Sequence, residues 1–385
     1  MRDYVEIGIG RKARRTYSLE AITVLPTRRT RSSKEVDTSW NIDAYSFDIP
    51  FVSHPTDAIA DPEFAIEMDR LGGMGVINAE GLLGRHVDIE AAIDQVISAA
   101  RDENGEFSYH NTDAIAKLQE LHAAPLDTDL LSERINQIRS AGATVAVRVS
   151  PQNAVELAPV VMKAGADLLF IQGTLLSAEH YLSQGDPLNL KEFIASLDIP
   201  VIVGGVSDYT TAMHMMRTGA VGVIVGAGDG INGGEALGIQ PALATAIADV
   251  AAARRDYLDE TGGRYVHIIA DGEIYTSGNV VVAIACGADA VVLGSPLATA
   301  KEAAGKGYFW PSAAGHPRFP RGRVEPVSEM DPEQRPSLET LLYGPSSDPS
   351  GTQNFAGGLR RAMAKCGFQD LKSFQKVELA YRIGF

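Results

Sequence analysis

The chain has 385 residues, and its 34 Lys and Arg against 49 Asp and Glu give a net charge of −15 at pH 7. A surface of that sign repels nucleic acid phosphates, so we predict no nucleic acid partner. Hydrophobic residues make up 45% and charged residues 22%, which is typical of a folded chain with a large core rather than of disorder.

The two cysteines, Cys286 and Cys366, are too few for a disulfide framework, and we expect both thiols to be buried and unreactive. No apolar run reaches the roughly 18 residues that a membrane span needs. The first residues also lack the order of a signal peptide, which is basic, then apolar, then small. We therefore expect a cytoplasmic protein with no membrane contact.

Short apolar segments recur along the chain, each bounded by glycine, proline or aspartate. Their apolarity is continuous rather than alternating, as parallel strands buried on both faces require. The segments are 47–55, 74–80, 144–150, 168–173, 199–205, 221–228, 266–272 and 290–296.

Glycine-alanine pairs directly precede four of these segments, at 142–143, 165–166, 219–220 and 287–288. Glycine at such a place provides the left-handed residue that ends a helix before the next strand begins. Repeated βα units with eight parallel strands predict a (β/α)8 TIM barrel, although a doubly wound open sheet is a second possibility.

We predict one domain over residues 1–385. Residues 1–46 are expected to form a β-rich lid over the bottom of the barrel, and the proline-rich residues 305–357 an irregular flap. Residues 358–385 are expected to form a helical tail. A long irregular segment beside a barrel is more often a functional flap or a subunit contact than a linker.

Function in such barrels is found at the carboxyl ends of the strands, and phosphate groups bind most often after strands seven and eight. There the sequence has Asp271 and Gly272, then Gly294 and Ser295. Glycine lets backbone N–H groups approach an anion, the serine hydroxyl adds a donor, and an aspartate beside them suits ribose hydroxyls. The alternative is that these are only turn residues.

A glycine-dense loop from Gly226 to Gly238 is interpreted as a ligand-wrapping loop, or alternatively as flexible surface. Its spacing is not that of a Rossmann fingerprint. His54 lies near the predicted mouth, where a lone histidine is more often structural. No cluster of histidines and carboxylates has the spacing of a metal site, so no metal is expected.

In these loops the sequence resembles the IMP dehydrogenase/GMP reductase family over nearly its whole length. It is most similar to the bacterial IMP dehydrogenase-related paralogues without CBS domains, because the segment between 80 and 144 is too short for a CBS pair. The stretches that carry the resemblance are Ile49–Asp57, Gly72–Ile77, Ile269–Gly278, Gly287–Ser295 and Gly357–Arg360.

The resemblance implies a purine nucleotide or similar small molecule, with NAD or NADP, and a homo-oligomer that is a tetramer or an octamer. It implies that Asp271 binds ribose hydroxyls and that Gly272, Gly294 and Ser295 hold the phosphate. The other substrate-binding residues that it implies are Ser53, His54, Thr56, Gly226 and Gly228. The cofactor-binding residues that it implies are Gln172, Gly173 and Thr174, where Gln172 replaces the family's aspartate.

Two departures from the family pattern concern the chemistry. The family's catalytic cysteine corresponds to a position near Ile231, so the loop Gly228, Asp229, Gly230, Ile231 and Asn232 has no thiol nucleophile. The family's water-activating Arg-Tyr pair has no clear counterpart, and Arg321 and Arg323 are the candidates for its arginine. Asp229 and Glu273 stand where the family has a serine and a glycine, so either both point away or the phosphate is not held as in the family.

Three functions are therefore considered. The first is an NAD(P)-dependent oxidoreductase that acts on a purine nucleotide without the family's cysteine. The second is a non-catalytic nucleotide-binding paralogue with a regulatory or assembly role. The third is an isomerase or aldolase of a phosphosugar, which is weakened because no lysine stands at a predicted strand end to form a Schiff base.

Overall fold

The computed structural model describes residues 3–107, 112–177, 188–230, 237–316, 322–328, 330–331 and 333–382. Its amino-terminal part contains short strands that pair outside the central sheet. They are β1 (Tyr4–Gly8), β2 (Arg11–Arg14), β3 (Ile22–Val24), β4 (Trp40–Ile42) and β5 (Tyr45–Phe47).

The central sheet has eight parallel strands, one overlapping each predicted segment. They are β6 (Phe51–Ser53), β7 (Val76–Asn78), β8 (Ala146–Val149), β9 (Leu168–Gln172), β10 (Val201–Val206), β11 (Gly222–Val225), β12 (His267–Ala270) and β13 (Ala290–Leu293). The strands are shorter than the predicted segments because the outer residues of most segments turn into loops.

The sheet closes into a barrel, so the predicted (β/α)8 TIM fold is confirmed and the open doubly wound sheet is excluded. β13 pairs with β6, and a parallel bridge joins Val52 of β6 to Met74, just before β7. The backbone N–H of Ser53 also donates to the carbonyl of Met74 at 2.9 Å.

Helices connect the strands and surround them. They are α1 (Pro62–Arg70), α2 (Ile89–Ala99), α3 (Asp113–His122), α4 (Thr128–Ser140), α5 (Ala154–Ala164), α6 (Leu190–Ala195), α7 (Tyr209–Met216), α8 (Leu243–Thr261), α9 (Ser277–Cys286), α10 (Ser295–Ala298), α11 (Leu338–Tyr343), α12 (Phe355–Lys365) and α13 (Leu371–Phe374). Within the described part of the chain, none of them combines the length and apolar character that crossing a bilayer requires.

The four glycines of the predicted glycine-alanine pairs all have positive φ, between 80° and 123°. Gly165 directly follows α5, and its N–H donates to the carbonyl groups of Val161 and Met162 in the last turn of the helix. This conformation is easy for glycine and costly for other residues, which explains why the pairs mark the helix-to-strand turns.

The hairpin of β4 and β5 contacts the amino-terminal ends of barrel strands. The Trp40 ring lies 6.0 Å from the ring of His267, the first residue of β12. The Tyr45 hydroxyl donates to Asp167, just before β9, at 3.2 Å. The hairpin is therefore on the face of the barrel opposite to the carboxyl ends of the strands.

The carboxyl-terminal part adds the strand pair β14 (Tyr308–Phe309) and β15 (Glu325–Pro326), beside the mouth of the barrel. The last strand, β16 (Leu379–Tyr381), pairs antiparallel with β3 and so ties the two ends of the chain together. The buried side chain of Trp310 follows β14 directly.

Candidate functional site at the carboxyl face of the barrel

Three polar side chains from distant parts of the chain meet at the centre of the barrel mouth. Gln172 ends β9, His54 follows β6, and Asp271 follows β12. The Gln172 side-chain amide donates to Oδ2 of Asp271 at 2.7 Å, and Nδ1 of His54 lies 3.6 Å from Oδ1 of Asp271. All three are buried, so this polar group lies inside the mouth of the barrel.

Several atoms of this trio have no hydrogen-bond partner among the described residues. They are Oδ1 of Asp271 and both ring nitrogens of His54. Leaving a buried polar group unpaired costs about 1–3 kcal/mol, so native structures seldom keep one without a role. A carboxylate oxygen and a histidine ring that lie 3.6 Å apart without such partners therefore suit a polar ligand with hydroxyl or N–H groups.

The glycine-rich loop touches this trio through its backbone. Gly226 has a φ of 117°, and a Cβ atom there would lie 1.9 Å from the carbonyl oxygen of Asp271. The N–H of Gly228 donates to that same carbonyl at 3.3 Å. Only glycine fits Gly226, because both its conformation and its surroundings exclude a side chain.

A cavity of about 230 Å³ lies beside Asp271 and carries mostly acceptor groups. The polar side chains that line it belong to Gln240, Asp271, Glu273, Tyr275, Arg323 and Glu325, and its glycines are Gly226, Gly228, Gly230 and Gly272. Glu273 accepts a hydrogen bond from Gln240 at 2.9 Å. Burial raises the pKa of Glu325, although Arg323 opposes this shift.

Asp229 lies in front of the predicted phosphate cradle and does not point away from it. Its Oδ2 accepts a hydrogen bond from the backbone N–H of Ser295 at 2.5 Å. A Cβ atom on Gly294 would lie 2.3 Å from the same oxygen. Burial raises the pKa of Asp229, although the hydrogen bond from Ser295 opposes this shift.

A second cavity, of about 460 Å³, is lined by His54 and by the predicted cofactor residues Gln172, Gly173 and Thr174. Arg148 of β8 is at its wall. Its guanidinium donates to the Gln172 carbonyl at 2.8 Å and lies 3.1 Å from the Glu80 carboxylate. Burial lowers the pKa of Arg148, and Glu80 opposes that effect.

Sequence reasoning gave no role to Arg148 or Glu80. Glu80 also accepts from the Ser150 hydroxyl at 2.9 Å and from the Ser150 backbone and the Asn153 side chain. The sequence does place both residues on this face, because Glu80 follows β7 and Arg148 is the penultimate residue of β8, but it does not show that the two side chains pair.

Other predicted residues take part in the fold at this face. The Ser53 hydroxyl accepts from the N–H of Val76 at 2.9 Å, and the Thr56 hydroxyl donates to the Trp310 carbonyl at 2.5 Å. Ser295 lines a third cavity, which shares Tyr275 with the one that contains Asp271 and Gly272. Ile231, Asn232 and Arg321 lie outside the described residues.

Neither thiol lies at this site. Cys286 ends α9, where burial raises its pKa to about 12, and Cys366 follows α12, where burial again raises the pKa. Both thiols are therefore protonated near neutral pH. Among the described residues, no three His, Cys, Asp or Glu side chains group as metal ligands would.

A barrel with its polar groups at the carboxyl face is a common enzyme scaffold, and comparison with known proteins specifies the class. The family model for the IMP dehydrogenase/GMP reductase domain matches residues 16–315. The chain belongs to the IMP dehydrogenase/GMP reductase family, as its motifs predicted.

Relatives of nearly full length refine the comparison. An uncharacterized oxidoreductase of Mycolicibacterium smegmatis is 61% identical over 97% of this chain and 99% of its own length. An inosine-5′-monophosphate dehydrogenase of Methanocaldococcus jannaschii is 23% identical over 95% of this chain and 92% of its own.

A solved structure of an IMP dehydrogenase/GMP reductase-like protein from Corynebacterium glutamicum is also similar. It matches with a TM-score of 0.93 and 67% identity, and the match covers 99% of this chain and 98% of that one. All three of these nearly full-length comparisons agree with the predicted oxidoreductase class.

Proposed function

We propose that this protein is an NAD(P)-linked oxidoreductase that acts on a ribosylated purine. The observation that carries the proposal is Asp271, a fully buried carboxylate. One of its oxygens accepts from Gln172 at 2.7 Å, and the other has no hydrogen-bond partner among the described residues. A fixed, unpaired carboxylate oxygen is a strong acceptor for the hydroxyl groups of a ribose. Family membership supports the redox class.

The second cavity, which His54 lines, has features that fit a nicotinamide. Its lining includes Gln172, Gly173 and Thr174, and Nε of Arg148 is a buried donor without a hydrogen-bond partner among the described residues. The carboxamide oxygen of a nicotinamide accepts hydrogen bonds of this kind. When bound, such a ring supplies a hydride acceptor or donor. Ala227 lines both cavities, so a ligand in one would lie next to a ligand in the other.

The residues of the chain then have separate tasks. Asp271 orients the ribose and hence the purine ring above it. His54, whose two nitrogens have no hydrogen-bond partner among the described residues, is assigned to hold or release the proton that accompanies hydride transfer. Arg148 and Glu80 keep the cofactor side of the site in a fixed arrangement through buried hydrogen bonds.

The alternative is a non-catalytic, purine-binding paralogue. The observation in its favour is that both thiols lie away from the site with pKa values raised by burial. A covalent route through a thiolate is then closed to Cys286 and Cys366.

We further propose that the protein is a homotetramer, in line with the family. Light scattering of the purified protein would test this.

The test is a titration calorimetry series with inosine, guanosine and their 5′-monophosphates, each with and without NAD or NADPH. The absorbance of the reduced nicotinamide is followed in parallel. We expect binding and turnover, both lost in Asp271→Asn, which keeps the side-chain shape but turns one acceptor into a donor. Binding without turnover supports the non-catalytic alternative, and no binding of any ribosylated purine rejects both.

A further inference from the structure

We propose that Asp229 is a specificity residue that occupies the anion-binding position in front of Gly294 and Ser295, so that the purine is bound as a nucleoside without a 5′-phosphate. The inference rests on the proposed function, because it takes Asp271 as the ribose ligand. It concerns a different feature of the ligand, namely whether the 5′ position of the ribose carries a phosphate.

The first argument is steric. Oδ2 of Asp229 lies 2.5 Å from the Ser295 nitrogen, so the backbone donor that would meet a phosphate oxygen is already bonded. Next to it, a Cβ atom on Gly294 would lie 2.3 Å from Oδ2 and 2.6 Å from Cβ of Asp229. The space that a side chain on Gly294 would fill is thus occupied by Asp229, and its carboxyl group lies where a phosphate would approach the Ser295 N–H.

The second argument is electrostatic. Three carboxylates line the adjoining cavity (Asp271, Glu273 and Glu325), and Arg323 is the one basic side chain among its described lining residues. Like charges that lie close together repel each other, and the repulsion grows where protein replaces water around them. Such a lining opposes a phosphate dianion, whereas the hydroxyl groups of a nucleoside donate to carboxylates.

The protonation of Asp229 does not reverse this conclusion. Burial raises the pKa of its carboxyl group, and a proton there would remove the charge. The group would still fill the position in front of Gly294, and the Ser295 N–H would still have its acceptor.

The experiment compares inosine with IMP, and guanosine with GMP, by titration calorimetry on the wild-type protein and two variants. Asp229→Ser removes the carboxyl group and opens the position. Asp229→Asn keeps its volume and its acceptor oxygen but has no negative charge, so it is the matched control. Thermal unfolding of each variant, with and without nucleoside, shows that it is folded.

We expect the wild type to bind the nucleoside at least about tenfold more tightly than the 5′-monophosphate. We expect Asp229→Ser to shift that ratio towards the monophosphate by at least about tenfold, and Asp229→Asn to shift it by less. If Asp229→Ser does not fold, competition on the wild type decides, and inorganic phosphate is expected not to displace the bound nucleoside.

The outcomes separate the two proposals. A wild type that binds the monophosphate as tightly as the nucleoside, or loses the nucleoside to inorganic phosphate, overturns the role of Asp229 and leaves the oxidoreductase proposal intact. An unchanged ratio in a folded Asp229→Ser variant also overturns that role. Failure of both ligand types to bind the wild type and both variants overturns the two proposals together.

Discussion

Nη1 of Arg254 lies 2.6 Å from Oδ2 of Asp289, and both side chains are buried between helix α8 and the start of β13. The Asp289 carboxylate also accepts from the Tyr265 hydroxyl at 2.6 Å and from the N–H of Ile268 at 2.8 Å. This one carboxylate therefore ties a barrel helix to two neighbouring strands, on the side of the barrel away from the candidate site.

Asp289→Ala is expected to destabilise the fold by about 3–5 kcal/mol, because it leaves the Arg254 charge buried without its partner. The control is Glu260→Ala, which breaks the exposed pair between Arg217 and Glu260. That pair is in solvent, so the control should leave the denaturation midpoint almost unchanged. Chemical denaturation of both variants measures the difference, and equal midpoints would contradict the structural role of Asp289.

Gly226→Ala tests whether the glycine-rich loop is held by close backbone contact. Gly226 has a φ of 117°, and a Cβ there would lie 1.9 Å from the Asp271 carbonyl oxygen. Together these predict that the variant loses about 2–6 kcal/mol of unfolding free energy. Gly142→Ala is the matched control, since Gly142 has a φ of 80° but nothing within 4 Å of its Cβ position. That change should cost only about 1–2 kcal/mol.

Thermal unfolding distinguishes the two glycine variants, and ligand binding gives a second readout. Because Gly226 contacts the Asp271 backbone, its replacement should also weaken ligand binding, whereas Gly142→Ala should not. If both variants lose the same stability, steric contact at Gly226 contributes nothing beyond its φ.

Much of the fold was predictable because buried strands, and the turns before them, have recognisable local sequence patterns. A strand buried on both faces must be apolar throughout, and the turn before it needs a left-handed residue, so segments such as 221–228 and the pair at Gly219 are visible in the sequence. The carboxyl ends of parallel strands share one face, which also placed Asp271 and His54 in the same region.

The hydrogen bonds between side chains within the site were not predictable in the same way. Asp229 was recognised as an unusual residue, but whether its carboxylate faced the cradle depended on contacts with Ser295, 66 positions away. The Arg148–Glu80 pair depends likewise on residues 68 positions apart. Such contacts are set by how strands are placed side by side, and periodicity in one segment carries no information about them.

Asp61 predicts a pH dependence of stability. It caps α1 by accepting from the N–H of Phe64 at 2.8 Å, yet burial raises its pKa to about 6, against an ordinary value near 3.9. The folded state then holds a proton that the unfolded state has released. Stability contributed by that proton is full below about pH 4 and is lost as the pH rises through about 6.

Asp61→Asn keeps a capping oxygen without a titratable group, since asparagine caps helices about as well as aspartate. We expect the wild type to lose about 2–3 kcal/mol of unfolding free energy relative to Asp61→Asn between pH 4 and pH 7. Urea denaturation at several pH values measures this difference. A difference that is constant over the range would show that burial does not perturb the Asp61 carboxyl.

Gln172→Glu tests the hydrogen bond that fixes Asp271. The amide nitrogen lies 2.7 Å from Oδ2 of Asp271, so the substitution brings two buried carboxyl groups to hydrogen-bond distance. They cannot both ionise there, and the pair keeps one proton to a higher pH than either group alone. Because the folded state holds that proton, the stability of Gln172→Glu should fall relative to wild type as the pH rises.

The ligand affinity of Gln172→Glu should also decrease relative to wild type as the pH rises. At low pH the shared proton lies between the two carboxyl groups and substitutes for the amide donor, so the affinity of Gln172→Glu should approach that of the wild type. At high pH, loss of the proton should disorder the Asp271 carboxylate and weaken binding by about 10–100-fold, the equivalent of one hydrogen bond to a charged group. Gln172→Leu, which has no donor at any pH, should bind weakly throughout. Parallel pH profiles for the wild type and Gln172→Glu would show that Gln172 does not orient Asp271.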